Sequence, residues 1–135
     1  MALTTQGLLP QLLLIEPDRM VRSTVASVCQ GLDLAQVHQA ASLAIGQQML
    51  QSQHMDALLL SLAEGEGALA LIERLLETRP DMPVSVMTAS VDADTVQRLK
   101  TLRIRRLLLQ PFKIRDAVMT VEGLCAVLPL AATGA

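Results

Sequence analysis

The sequence predicts a doubly wound α/β domain in which five parallel strands alternate with five helices. Three observations carry this. Short, continuous apolar runs such as Leu12-Leu13-Leu14-Ile15 and Ala57-Leu58-Leu59-Leu60 read as strands buried on both faces. The stretches between the runs place apolar residues at helical spacing. Asp, Ser, Gly and Pro punctuate the switches between the two patterns.

Each element follows in order. Leu12–Ile15 is the first strand, stopped by Pro17. Asp18 caps a helix with Val21, Val25 and Val28 on one side, and Gly31 ends it. A weaker strand spans Gln36–Ala40, and Ser42 opens a Gln-rich helix to about Ser52. Ala57–Leu60 is the third strand. Gly65 and Gly67 form a loop before a helix over Ala68–Thr78. Pro80 and Pro83 bracket a turn into the strand Val84–Thr88. Asp92–Leu102 is a helix carrying Val96, Leu99 and Leu102, and Leu107–Leu109 is a strand stopped by Pro111. Ile114, Val118, Val121 and Cys125 set the inner stripe of the last helix. Five such units favour the flavodoxin-like strand order 2-1-3-4-5, a three-layer sandwich. The domain is expected over residues 11–128, with tails at 1–10 and 129–135.

Composition narrows the function. The chain has 135 residues, 51% of them apolar, enough for one packed domain and too many for a disordered chain. Phe112 is the only aromatic residue, which removes base stacking as a binding mode. Two cysteines make no disulfide framework. Cys29 and Cys125 read as buried thiols, and the seven methionines are scattered gap-fillers. His38 and His54 have no partners at metal-ligand spacing, so no zinc site is expected. No run approaches the roughly 18 apolar residues of a membrane span. No basic segment precedes the first leucines, so no secretory signal is read and the cytoplasm is the expected location.

In a sheet of this order the site lies at the carboxyl ends of the strands. Those ends are Glu16-Pro17, Ser61, Thr88 and Gln110. Here the sequence resembles a bacterial response-regulator receiver domain, over about residues 12–128. The resemblance rests on Leu13-Leu-Ile-Glu-Pro-Asp-Arg-Met-Val-Arg22, Asp56-Ala-Leu-Leu-Leu-Ser61-Leu62, Pro83-Val-Ser-Val-Met-Thr88-Ala89 and Leu108-Leu-Gln110-Pro111-Phe112.

The resemblance implies a chemistry and where it would sit. The family uses two adjacent acids after the first strand for magnesium, and an aspartate ending the third as phosphoryl acceptor. A Thr or Ser ends its fourth strand, and a Lys ends its fifth. By position these are Glu16-Pro17, Ser61, Thr88 and Gln110, so the second acid, the acceptor and the lysine are replaced. One carboxylate is a poor magnesium site. A serine hydroxyl forms no acyl phosphate and is a weak nucleophile without a base. Gln110 brings no charge to a dianion. No catalytic residue, metal or cofactor is therefore assigned, and the chain is not read as an enzyme. The segment from Ser61 to Gly67 is shorter than usual in the family, and Leu107 stands where the family often has an aromatic ring. The resemblance also implies a cis Gln110–Pro111 bond.

Alternatives stay open on the residues themselves. Asp18 pairs with Glu16 or caps the helix, and capping is preferred. Asp56 is a displaced acceptor or a strand-start charge. It precedes the strand's far end by some five residues, roughly 16 Å, so the second reading is preferred. Ser61, Thr88 and Gln110 are expected to form a neutral hydrogen-bonded cluster.

Charge is uneven. Arg98, Lys100, Arg103, Arg105, Arg106, Lys113 and Arg115 hold seven of the eleven basic residues, with no acid among residues 98–115. By the resemblance this is the helix 4–strand 5–helix 5 output face. It is read as a surface for a protein partner or a second copy, whose Asp92, Asp94 and Asp116 offer opposite charge. A solvated basic edge is the bland alternative. Nucleic acid is the weaker one, because phosphates suit the patch but no helix-turn-helix or stacking residue supports it. The function expected is a phosphorylation-independent receiver module in two-component signalling. The alternatives are the receiver half of a larger regulator, or a ligand- or nucleic-acid-binding module using the basic face.

Overall fold

The computed structural model describes residues 9–104 and 106–125. The expected tails, apart from Leu9 and Pro10, the domain's end at 126–128 and Arg105 lie outside the described residues.

Five strands, β1 (Gln11–Ile15), β2 (Gln36–Ala40), β3 (Ala57–Ser61), β4 (Val84–Thr88) and β5 (Leu107–Leu109), form one parallel sheet in the order β2-β1-β3-β4-β5. The helices α1 (Arg19–Gly31), α2 (Leu43–Ser52), α3 (Glu66–Thr78), α4 (Ala93–Thr101) and α5 (Ile114–Cys125) connect and follow them. The expected flavodoxin-like order and every strand are present.

The continuous apolar runs follow from burial on both faces. Leu12, Leu14 and Leu59 pack in one core with Val25 and Cys29 of α1 and Val121 and Leu124 of α5. Leu13, Ile15, Leu58 and Leu60 alternate to the other side, against Leu69 and Ile72 of α3 and Leu99 of α4. Fully burying one leucine contributes about 1.5–3 kcal/mol, so the two layers hold the sheet from both sides.

Short polar side chains start the helices. Asp18 Oδ1 accepts from the N–H groups of Met20 and Val21, Ser42 Oγ from Ile45, and Asp92 Oδ1 from Thr95. The two bonds at Asp18 establish capping, the preferred alternative. The Thr95 N–H bond also holds the Asp92 carboxyl below its usual range.

One sequence expectation is refined and two are corrected. Gly31 is the last residue of α1, and the left-handed position that closes the helix is Asp33, φ 54°. The Leu34 N–H donates to Cys29 O at 2.9 Å, the six-to-one bond of a Schellman ending. Helix α3 starts at Glu66, so Gly67 is helical and only Gly65, φ 60°, needs glycine's freedom. In α5 the buried residues are Ala117, Thr120, Val121 and Leu124, while Ile114 is exposed. Thr120 enters the core because its hydroxyl donates to Asp116 O at 2.8 Å. A polar residue at an inner position therefore turned the expected stripe by about one residue.

Candidate functional site

The register Ile15↔Leu60, Ser61↔Met87 and Thr88↔Leu109 brings Glu16, Ser61, Thr88 and Gln110 to one edge of the sheet. Glu16 is only 3% exposed. Its Oε2 accepts the Asp18 N–H at 2.9 Å, and Gln110 Nε2 lies 3.5 Å from its Oε1. Arg22 is nearby, but its Nη1 donates to the Glu16 main-chain oxygen at 2.8 Å. Among the described residues Arg98 pairs with Glu66 and Glu73, the His54 ring contacts Asp56, and no such pair includes Glu16. A carboxylate taken from water without a cation is costly, and two neutral donors offset this only in part.

The expected cluster of Ser61, Thr88 and Gln110 does not form. Ser61 Oγ accepts from the Ala63 N–H at 3.1 Å, and Thr88 Oγ1 donates to Ser90 O at 2.8 Å. Each hydroxyl is satisfied within its own loop, two residues on. Such local bonds are reached more easily than a partner on a strand about 4.8 Å away.

These residues line an open groove of about 840 Å³. Its walls are mostly apolar: Pro17, Met20, Val21, Ala63, Ala89, Pro111 and Phe112. The Gln110–Pro111 bond that shapes one rim is cis, as the resemblance implied. Sequence reasoning placed the polar residues here and missed the wall. The signal was present in Phe112, the sole aromatic residue, next to Pro111.

Magnesium, which the resemblance implies at this edge, does not fit this donor set. Position 17 is proline, position 61 is serine, and the Glu16 and Asp18 carboxylates are engaged with backbone N–H groups. Among the described residues no three His, Cys, Asp or Glu side chains converge as a metal site.

Asp56 lies at the opposite edge, before β3. Its Oδ2 accepts the Gln11 N–H at 2.7 Å and its Oδ1 meets His54 Nε2 at 2.7 Å. It fastens the start of β1, at the edge away from the strand-end residues, as the preferred strand-start reading has it. His38 Nε2 meets Gln11 Oε1 at 2.6 Å. Cys29 and Cys125 sit in the α1–α5 core, where burial pushes each thiol up to about 11. At neutral pH both stay protonated and poorly nucleophilic.

The basic segment divides. Arg98 is paired with Glu66 and Glu73 of α3, so the expectation of seven unopposed charges is corrected. The end of α4 carries it across the helix–helix seam, where acids of another element reach it. Lys100, Arg103, Arg106, Lys113 and Arg115 are exposed. Beside them Leu109 and Ile114 are 52% and 56% exposed, so this face is mixed apolar and basic.

Comparison with known proteins agrees with the fold. The model of the response regulator receiver domain matches residues 12–122. The chain belongs to that family, the receiver domains of two-component signalling. A response regulator from Thermotoga maritima is similar at 24% identity and TM-score 0.74, over 85% of this chain and 98% of that one. The chemotaxis protein CheY4 of Vibrio cholerae is similar at 15% identity and TM-score 0.76, over 86% and 98%. The non-phosphorylated HemR receiver domain of Leptospira biflexa reaches TM-score 0.78 at 21% identity, over 87% and 95%. No curated protein matches the sequence. Among the described residues no helix is long and apolar enough to cross a membrane.

Proposed function

We propose that this receiver domain acts in two-component signalling by protein–protein contact, without phosphoryl transfer to an aspartate. The observation that carries the reading is the set of side chains at the strand ends. Ser61, Pro17 and Gln110 stand where the resemblance places an acceptor, a metal-binding acid and a charge-neutralising lysine. The buried Glu16 supports it too, because a phosphoryl dianion would add negative charge beside a carboxylate that has no cation. The output surface is the mixed face of α4, β5 and α5, where exposed Leu109 and Ile114 lie among Arg103, Arg106, Lys113 and Arg115. Apolar residues ringed by charge suit a protein partner or a second copy. The module is read as non-enzymatic and cytoplasmic. The test is an amide NMR spectrum with acetyl phosphate and magnesium, then with beryllofluoride and magnesium. Unchanged resonances at Ser61, Thr88 and Gln110 are expected. Shifts there overturn the reading.

A further inference from the structure

The groove at the strand ends has the properties of a small-molecule site. About 840 Å³ falls in the range of ligand pockets, which are mostly apolar with a few placed polar groups. Its most buried polar side chain is Glu16, 3% exposed and bonded at its carboxylate by neutral donors alone. No basic side chain lines the groove. Asp18 adds a second negative charge at the rim, and Phe112 adds an aromatic ring to the wall. A buried carboxylate, an aromatic ring and an apolar wall together complement a cation on an apolar body. An anion meets the opposite: two carboxylates and no counter-charge.

We infer that the groove binds a small organic cation, an ammonium or guanidinium group carried on an apolar body. The cation sits against Glu16, where it supplies the charge partner that Gln110 does not. The apolar body lies between Val21 and Phe112, and Met20, 78% exposed, covers it from the rim. The inference rests on the reading that this groove carries out no phosphoryl transfer.

The probe is 2-phenylethylammonium, compared with the neutral 2-phenylethanol of nearly the same shape and with magnesium chloride alone. Amide NMR titration of the full chain gives both the site and the affinity. The amine is expected to shift Glu16, Ser61, Ala89 and Phe112 and to bind about tenfold more tightly than the alcohol. Glu16→Gln keeps the side chain's shape and is expected to erase that tenfold preference. Gln110→Lys, which brings an internal cation to the same carboxylate, is expected to abolish amine binding while the protein stays folded. Phe112→Leu is expected to weaken the amine about threefold. Equal affinity for amine and alcohol overturns the proposal, as does preference surviving Glu16→Gln, or shifts centred elsewhere. Magnesium alone moving the same amides makes this a metal site and also overturns it. Failure here with an unchanged acetyl phosphate spectrum leaves the phosphorylation-independent reading standing. A positive acetyl phosphate spectrum removes both.

Discussion

Gln110 Nε2 lies 3.5 Å from Oε1 of Glu16, spanning the sheet edge from the end of β5 to the end of β1. At that distance it is a weak bond, yet it is the only side-chain donor to this carboxylate among the described residues. Gln110→Lys replaces it with a charge-assisted contact, and the groove's openness lets the ammonium keep part of its water. The variant is expected to be more stable by about 1 kcal/mol, roughly 4 °C in Tm for a domain of this size. Calorimetry at neutral pH reads it. An unchanged or lower Tm shows that Glu16 is not short of a cation.

Ser61→Asp puts a second carboxylate at the same edge. Without a cation the two charges oppose each other, and the variant is expected to lose about 1–3 kcal/mol at pH 7. The sign of its pH dependence follows. Repulsion raises the folded-state carboxyl pKa above the unfolded value, so stability is recovered as the pH falls and the group protonates. Acetyl phosphate is expected to leave Ser61→Asp unmodified, because the second acid and the lysine are still missing. Denaturant melts at pH 5 and pH 7 and intact mass after acetyl phosphate check the two halves.

Three glycines in helices carry expectations of opposite sign for the same change. A Cβ on Gly46 would lie 2.2 Å from Cδ1 and 2.7 Å from Cγ1 of Ile15. Ile15 is fully packed, so it cannot swing away, and Gly46→Ala is expected to cost about 1–3 kcal/mol. Nothing lies within 4 Å of a Cβ on Gly31 or Gly123. Alanine there only lowers the entropy of the unfolded chain and improves the helix, a gain of about 0.5–1 kcal/mol each. Urea melts of the three variants decide it, and a stabilised Gly46→Ala would mean that α2 stands further from β1.

The strands were readable because a strand buried on both faces has no polar positions to confuse its pattern. Leu12–Ile15 and Ala57–Leu60 show this. The helices were legible where a capping side chain marks the start, as at Ser42 and Asp92. They were misread where a polar residue is satisfied inside, as with Thr120, or where a non-glycine residue takes the left-handed closing position, as with Asp33. At the site, sequence position gave the strand-end residues, since topology alone delivers them. Which atoms bond to which was not legible. The choice between Ser61–Ala63 and Ser61–Thr88 depends on loop geometry of a few ångströms. The pairing of Arg98 with Glu66 and Glu73 joins residues 32 and 25 apart in sequence, and no local pattern encodes it.

Ser85 Oγ is buried and has no hydrogen-bond partner among the described residues. Its strand is sealed on both sides, and an unsatisfied hydroxyl there costs about 1–3 kcal/mol. Ser85→Ala removes the hydroxyl and leaves a void smaller than a methyl group. The expected result is a gain of about 1 kcal/mol, read as a higher urea midpoint with unchanged slope. A loss of stability would mean that a bound water serves this oxygen.

The division of the basic segment separates two kinds of arginine. Arg98 reaches inward along the protein surface to Glu66 and Glu73, so Arg98→Glu breaks contacts between α4 and α3. It is expected to lower Tm without acting on association directly. Arg103 and Arg106 are exposed and have no ion-pair partner among the described residues. Reversal to Glu matters by under about 0.5 kcal/mol at Arg106, an exposed charge, and costs more at Arg103, which holds the left-handed position, φ 60°, that closes α4. Association through the α4–β5–α5 face, by contrast, is expected to weaken about tenfold, and to weaken with added salt as well. Sedimentation across concentration and salt measures this for a second copy of the chain. The same variant in affinity capture measures it for a different protein. Leu109→Ser supplies a control that does not depend on charge: it weakens a packed interface at high salt as well as low. Association that ignores the reversed charges, the salt and Leu109→Ser alike would show that this face is only a solvated edge.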